Sequence, residues 1–439
     1  VSEPFPEENP GTPWLARAEA ATCFVILALM SGALLAPLFA PDQNPDAAPF
    51  LRQMWLPVYG CIAVMMLIKP IEMTRMVVPG LMGLVLVGWA AASYRWSIAP
   101  DLTLRRSVAL LFTTAFGLYM AARYDWRDLI RMFAAVFLLL AVGTYIASLL
   151  FPSFGVHATI HPGAWKGLWY EKNQMGGLMV LGTLACACAA IVQPEERRLW
   201  IVAAVLNAGL VITSTSTTAL LGLVITCAGL IGLAMLRRGG AVTVFTLWAA
   251  AAGAAAFVAL ILLAPEAFFA LVGKDATLTG RTGIWEALFR RVAERPVLGY
   301  GFGAFWQNPW GPAWFIKHEV QWSAPNAHNG WLDILVQLGW VGLILAVAHF
   351  VISAVVAVAK VGRGSEAYWT VTFTVLFALF SISESTVMQY NNISWVMYTA
   401  TMAKLFEWRG LASGPVPRAA SVRLFPDEEP EGMWGRPVR

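Results

Sequence analysis

Long apolar runs with short polar punctuation dominate the chain. A helix that crosses a bilayer needs about 20 mostly apolar residues, and twelve stretches approach or exceed that length: 16–40, 53–68, 77–92, 107–122, 129–151, 174–192, 199–213, 217–236, 241–264, 329–359, 367–384 and 392–406. The pattern predicts an all-α polytopic membrane protein with about 12 transmembrane helices. The 329–359 run is too long for one simple span, so its first turns are expected to form a helix above the membrane. The first run is too long for a cleavable signal peptide, and no small-residue cleavage site follows it before Pro41. The chain divides accordingly into a cytoplasmic N-terminal segment (1–15), spans one to nine (16–264), one long outer loop (265–328), spans ten to twelve (329–406) and a tail (407–439). In the tail, Arg418 and Arg423 followed by Asp427, Glu428, Glu429 and Glu431 read as disordered and cytoplasmic.

Composition excludes a soluble globule. Charged residues make up 13% of the chain and hydrophobic ones 58%, with a mean hydropathy of +0.64. A soluble domain carries about 25% charged residues. The net charge of +4 is too weak to point to nucleic acid as a partner. Lys and Arg set the orientation. With the N-terminus inside, the inner short segments hold Arg17, Lys69, Arg75, Arg123, Arg127, Arg131, Arg197, Arg198, Arg237, Arg238, Lys360 and Arg363. The outer short loops hold half as many: Arg52, Arg95, Arg105, Arg106, Lys166 and Lys172. Both termini are therefore expected in the cytoplasm. Arg105 and Arg106, just before a span on the outer side, read either as partners of Asp101 or lipid phosphate, or as an anion site at the outer surface.

The cysteines (Cys23, Cys61, Cys186, Cys188 and Cys227) all lie inside apolar runs and show neither disulfide nor zinc spacing. They read as small core residues. His349 reads as a core histidine, and His157, His161 and His318 have no ligand-like spacing, so no metal site is expected. The segment from Pro265 to Asn326 is the one large extramembrane piece, and loops of that length usually have a role. A helix is expected over Thr279–Ala293, capped by Thr279, with Trp285, Leu288, Phe289 and Val292 on one face. The run Pro296-Val-Leu-Gly-Tyr-Gly-Phe-Gly303 follows no strand, so it reads as a turn whose backbone approaches something closely rather than as a phosphate cradle. The aromatics beyond it suit either an interfacial belt or sugar platforms. Trp306, Trp310, Trp322 and Trp331, with Asn326, are the candidates for sugar binding. His328, where the loop returns to the membrane with Asp333 five residues on, could take a proton from a hydroxyl or simply start a helix.

Taken in order, Leu278-Thr-Gly-Arg-Thr-Gly-Ile-Trp285, Pro296-Val-Leu-Gly-Tyr-Gly-Phe-Gly303 and Asn326-Ala-His-Asn-Gly-Trp331 on one outer loop resemble the O-antigen ligase and Wzy-type polysaccharide polymerase superfamily. Glu171-Lys-Asn-Gln-Met-Gly176 is similar to the exopolysaccharide-polymerase branch. The resemblance covers most of the chain in topology and residues 170–176, 213–222 and 278–333 in motif. It implies a GT-C-type, inverting glycosyltransferase that needs neither metal nor cofactor. Such a protein moves glycan from an undecaprenyl-diphosphate-linked donor to a sugar hydroxyl at the periplasmic face of the bacterial inner membrane. The acceptor would be a second lipid-linked glycan or a lipid A core, and membrane lipids and polysaccharide assembly and chain-length proteins would be partners. Arg281 matches the family's loop-helix arginine, suited to a diphosphate; His328 matches its histidine, the proposed general base. Lys172 sits where a second cation could reach the phosphates. One departure concerns Thr213-Ser-Thr-Ser-Thr-Thr-Ala-Leu220, where Thr217 stands in place of a family cation; Lys172, Arg105 or Arg106 would then supply the charge. Two other readings compete. A transporter of the same lipid-linked sugars would carry mid-membrane charges and repeated halves, neither of which the sequence shows. A scaffold subunit would explain the missing cation at 217.

Overall fold

The computed structural model describes residues 13–40, 48–159, 161–263, 281–306, 311–320, 325–362 and 364–407. Over the described residues each of the twelve apolar runs is mainly helical. In chain order the helices are α1 (Pro13–Met30), α2 (Leu35–Phe39), α3 (Pro49–Ile68), α4 (Pro70–Val77), α5 (Leu81–Ala92), α6 (Pro100–Arg123), α7 (Trp126–Leu150), α8 (Pro152–Gly155) and α9 (Lys172–Val192). There follow α10 (Arg197–Thr213), α11 (Thr217–Leu236), α12 (Gly240–Leu263), α13 (Arg281–Glu294), α14 (Pro312–Glu319), α15 (Gly330–Ala359), α16 (Ala367–Ser383) and α17 (Ile393–Phe406). Local chemistry sets their starts. Pro49, Pro70 and Pro100 occupy the first turn of α3, α4 and α6, where a missing N–H costs nothing. The side chains of Asp125, Asn329 and Asn392 accept backbone N–H groups at the starts of α7, α15 and α17. Among the described residues, α3, α7, α9, α11 and α15 are long and apolar enough to cross a bilayer, and the α4/α5 pair, bent by 86°, makes a sixth if it is taken as one span. The chain is thus an all-α polytopic membrane protein.

The most enclosed of these spans is α9, packed against α7, α10, α11 and α16. Its Cys186 and Cys188 are both buried, as is Cys23 of α1, but Cys61 and Cys227 are exposed on the outer surface of the bundle. The expectation of core cysteines fails for those two because lipid is as apolar as a protein core. An apolar run therefore does not say which way a residue faces.

Charged contacts sort the loops onto two faces. On one, Arg123 pairs with Glu19 at 2.6 Å, Arg127 and Arg131 pair with Glu195 and Glu196, and Lys360 donates to the Leu405 carbonyl. On the other lie the turns that join α5 to α6, α7 to α9, α10 to α11 and α16 to α17, together with α13 and the start of α15. This second face carries the candidate chemistry.

The glycine run is explained by a broken helix. Gly339 (φ +66°) interrupts α15 and separates a short first part, 330–338, from the longer remainder. The backbone groups freed by the break are satisfied by the glycine run. Tyr300 N–H donates to the Val336 carbonyl (3.1 Å), Gly301 N–H to that of Gln337 (2.8 Å), and Trp340 N–H to that of Pro296 (2.8 Å). The close approach requires glycine. A Cβ at Gly301 (φ +102°) would lie 2.3 Å from Ser97 Oγ, and one at Gly303 (φ +69°) 2.4 Å from Arg106 Cδ. The N–H groups of residues 299–303 are thus committed to the protein rather than to a phosphate.

The loop helix α13 buries Ile284, Ala287, Leu288 and Val292. Phe289, expected on the buried face, is 52% exposed, because the stripe is rotated about one residue toward the N-terminus of the helix. The expected cap Thr279 lies outside the described residues, as do the N-terminal segment to residue 12 and the tail from 408 onward.

Gly301→Ala is expected to destabilise the protein by about 2–4 kcal/mol through overpacking and left-handed strain. Gly253→Ala, in open space on α12, should be neutral or stabilising by up to about 1 kcal/mol. Thermal unfolding in detergent micelles checks the contrast, and equal effects of the two substitutions would contradict the packing described.

Candidate functional site

Two residues singled out in the long loop meet through a third that sequence reasoning missed. Arg281, at the start of α13, donates from Nη2 to Glu384 Oε1 (3.2 Å) and from Nη1 to the Ser383 carbonyl (2.7 Å). His328 Nδ1 lies 3.2 Å from the other carboxylate oxygen, Glu384 Oε2. One carboxylate therefore joins the arginine and the imidazole. The pairing also resolves two misplacements relative to helix dipoles. Glu384 ends α16, where negative charge is disfavoured, and Arg281 begins α13, where positive charge is disfavoured. Each supplies what the other's helix end lacks, and Arg281 also satisfies a terminal carbonyl of α16. The side chains of Arg281, His328 and Glu384 are 13%, 20% and 29% exposed.

The backbone around His328 is fixed from several directions. His328 has φ +47°, a left-handed conformation uncommon for a residue with a side chain. Asn326 Oδ1 accepts its N–H at 2.9 Å, which shapes the turn. The preceding Ala327 is held at both ends: its N–H donates to the buried Asp333 (3.2 Å), and its carbonyl accepts from Trp285 Nε1 (2.9 Å). Trp306 Nε1 donates to the same Asp333 oxygen at 2.7 Å. Gly330 N–H donates to the Glu384 carbonyl (3.1 Å), and a Cβ at Gly330 would come 2.8 Å from Val387 Cγ2. The start of α15 and the turn after α16 are therefore in direct contact, which brings His328 to Glu384.

Of the sugar-binding candidates, Trp306 is buried and Trp331 packs its ring edge-on to Phe350 at 5.6 Å between centroids. Trp310 and Trp322 lie outside the described residues. Arg106 is buried, donates to the Gly303 carbonyl and lies 5.4 Å from the centre of the Tyr390 ring. Arg105 is exposed beside it. Arg106 thus anchors the glycine run.

Lys172 and Thr217 come together on neighbouring helix starts. Lys172 Nζ donates to Thr215 Oγ1 (3.2 Å) and to its carbonyl (3.4 Å). Gly176 allows this contact, since a Cβ there would meet Ser214 Oγ and Ala219 Cβ at 2.8 Å. Thr217 is half-buried at the first position of α11. The N-termini of α9 and α11 therefore converge, and their partial positive charges add to that of Lys172. Next to Lys172, burial raises the Glu171 carboxyl above its ordinary range, and Glu384 pushes the same way. Lys166, His328 and Lys172 oppose that shift. Glu171 thus lies within electrostatic reach of the His328–Glu384 pair. Neither Glu171 nor Glu384 was assigned a role from the sequence; the available signal was a carboxylate at the end of a span in a chain with few charges. Among the described residues no group of three or more His, Cys, Asp or Glu side chains could hold a metal ion.

Part of the chain is similar to known proteins. A family model described as O-antigen ligase matches residues 202–347, a stretch that includes Thr217, Arg281 and His328. The chain is 28% identical over 268 residues to the exopolysaccharide production protein ExoQ of Rhizobium meliloti (strain 1021). That alignment covers 58% of this chain and 60% of the relative. The resemblance to the O-antigen ligase and Wzy-type polymerase superfamily, and to an exopolysaccharide protein within it, is borne out.

If Glu384 couples to Arg281 as described, Arg281→Ala and Glu384→Ala should each destabilise the protein. Their double mutant should then show an interaction energy of about 1–3 kcal/mol. Additive effects in a thermal-unfolding cycle would contradict the pairing.

Proposed function

We propose that this chain, similar to the O-antigen ligase and Wzy-type polymerase superfamily, is a twelve-span membrane glycosyltransferase of the bacterial inner membrane. It transfers glycan from an undecaprenyl-diphosphate-linked donor to a sugar hydroxyl at the periplasmic face. The observation that carries the reading is the Arg281–Glu384–His328 bridge. An ionised carboxylate only accepts hydrogen bonds, so Nδ1 of a neutral His328 carries its proton toward Glu384. The basic lone pair is then on Nε2. In the proposed reaction Nε2 takes the proton of the acceptor hydroxyl as that oxygen attacks the anomeric carbon. The bond from that carbon to the phosphate oxygen breaks, and the electron pair leaves with the lipid diphosphate, with inversion at carbon.

Charge on the leaving group has to be met by fixed positive groups. Arg281 retains N–H donors beyond the two used on Ser383 and Glu384. Lys172 and the converging N-termini of α9 and α11 supply further positive potential, which compensates for a hydroxyl at Thr217 where the family carries a cation. The side chains named need no metal for this chemistry. The likeness to ExoQ favours polymerisation of exopolysaccharide repeats, with assembly and chain-length proteins as partners. The match to an O-antigen ligase model favours the second reading, transfer to a lipid A core.

Purified protein given a lipid-linked repeat separates the two. Lengthening without an acceptor lipid indicates a polymerase, and transfer only to lipid A core indicates a ligase. Per mole of folded protein, His328→Ala should lower transfer by about 10²–10⁴-fold and Arg281→Ala by about 10²-fold or more, with topology normal. Near-wild-type transfer by either variant would remove that residue from the mechanism. Chelators should leave the rate unchanged, and restoration by added divalent metal after chelation would contradict the metal-independent reading. Thr217→Arg should be tolerated or should tighten donor binding; loss of folding would show a packed position instead.

A further inference from the structure

The loop between α8 and α9 carries two side chains that the reaction above leaves unused. It is not a loose connection. Val156 and Trp165 form an isolated antiparallel bridge, and His157 N–H donates to the Ala164 carbonyl at 2.9 Å. Lys166 and Gly167 both donate to the Gly155 carbonyl at 2.9 Å. Trp165 N–H reaches the Thr213 carbonyl (3.1 Å), and the buried Trp169 ring donates to the Ser31 carbonyl (2.9 Å). So many ties to the bundle fix where the loop's side chains stand.

Two of them face each other. The His157 side chain is 9% exposed, and its Nε2 makes no hydrogen bond among the described residues. It lies 3.8 Å from Glu171 Oε2, whose side chain is 44% exposed. That separation is too long for a direct hydrogen bond. It suits a group that bonds to both atoms at once, because an oxygen about 2.8 Å from each spans such a gap. Burial lowers the His157 pKa, helped by Lys166, His161 and Lys172, so the imidazole is neutral at pH 7. The bridging group must therefore donate to a carboxylate while exchanging a hydrogen bond with a neutral ring nitrogen. A hydroxyl does both. A phosphate offers the carboxylate only repulsion, and two side chains are too few for a metal cage.

We infer that His157 and Glu171 form a hydroxyl-binding subsite for the acceptor sugar, beside the nucleophilic hydroxyl at His328. The inference rests on the glycosyltransferase reading. Glu171 contacts the sugar, and His157 completes the bond to the same hydroxyl. The acceptor, not the donor, is assigned here because the donor's diphosphate belongs with Lys172 and the 213–217 turn. Lys172 reaches toward that turn, whereas Glu171 is turned to His157.

The test uses the full chain in lipid nanodiscs with saturating lipid-linked donor. The varied acceptor is the oligosaccharide repeat released from the host's polysaccharide, or lipid A core if the wild-type chain extends only that. Glu171→Gln and His157→Phe should each raise the acceptor KM by about 10- to 100-fold, the loss expected for a charge-assisted hydrogen bond. The kcat and the donor KM should stay within about threefold. Should Glu171→Gln fail to assemble, Glu171→Asp should still raise the acceptor KM. Among acceptor analogues lacking single hydroxyls, one should bind wild type worse and Glu171→Gln no worse. An unchanged acceptor KM in variants of normal stability would overturn the subsite, and a rise in donor KM alone would overturn its assignment to the acceptor. If the wild-type chain transfers nothing to any acceptor, the glycosyltransferase reading fails and takes the subsite with it. Transfer with an indifferent Glu171 removes the subsite alone.

Discussion

The carboxylate of Glu384 is the point on which the second face of the bundle depends. It sits at the end of α16, where the helix dipole opposes it. It is held there because Arg281 approaches one oxygen at 3.2 Å and His328 the other at 3.2 Å. A carboxylate in that place without cationic or N–H partners would be disfavoured by both the dipole and partial burial. The requirement is mutual, since the same contacts fix the arginine of one loop helix and the imidazole of a strained turn. Three chain segments, distant in sequence, are thereby locked to one another.

That lock needs a rigid support, and the broken α15 provides it. A continuous helix would leave no backbone groups for the glycine run to bind. The interruption at Gly339 exposes carbonyls that Tyr300 and Gly301 use. The run then carries Trp306 to Asp333, and Asp333 holds Ala327. The chain of contacts thus leads from a kink in the bundle to the residue preceding His328. Polar groups that look like candidates for ligand binding, Trp306 and Arg106 among them, serve this support in the structure.

The helices were legible in the sequence because a bilayer-crossing segment must be both long and apolar, and few other structures meet that demand. The kink in α15 was legible in part: the run was visibly too long, and the glycines signalled close approach, but nothing named the partner of that approach. Facing was less readable. The cysteines at 61 and 227 were placed inward, yet lipid rewards apolar side chains on the outside as well, and Phe289 of the loop helix falls just off the stripe that is buried. His328 and Arg281 stood out through motif order. Glu384 belongs to no motif that sets it apart as a site residue, and its importance lies in contacts with residues 56 and 103 positions away. Only the fold brings such residues together.

A direct test of the account is the single-turnover rate of glycan transfer by Glu384→Gln, measured with bound lipid-linked donor so that substrate affinity does not enter. The amide keeps the size of the side chain but cannot anchor both a guanidinium and an imidazole N–H as an anion does. The account predicts a fall of about 10²-fold or more, with the fold intact. A rate within a few-fold of wild type would show that neither the histidine nor the arginine depends on this carboxylate, and the proposed mechanism would not stand.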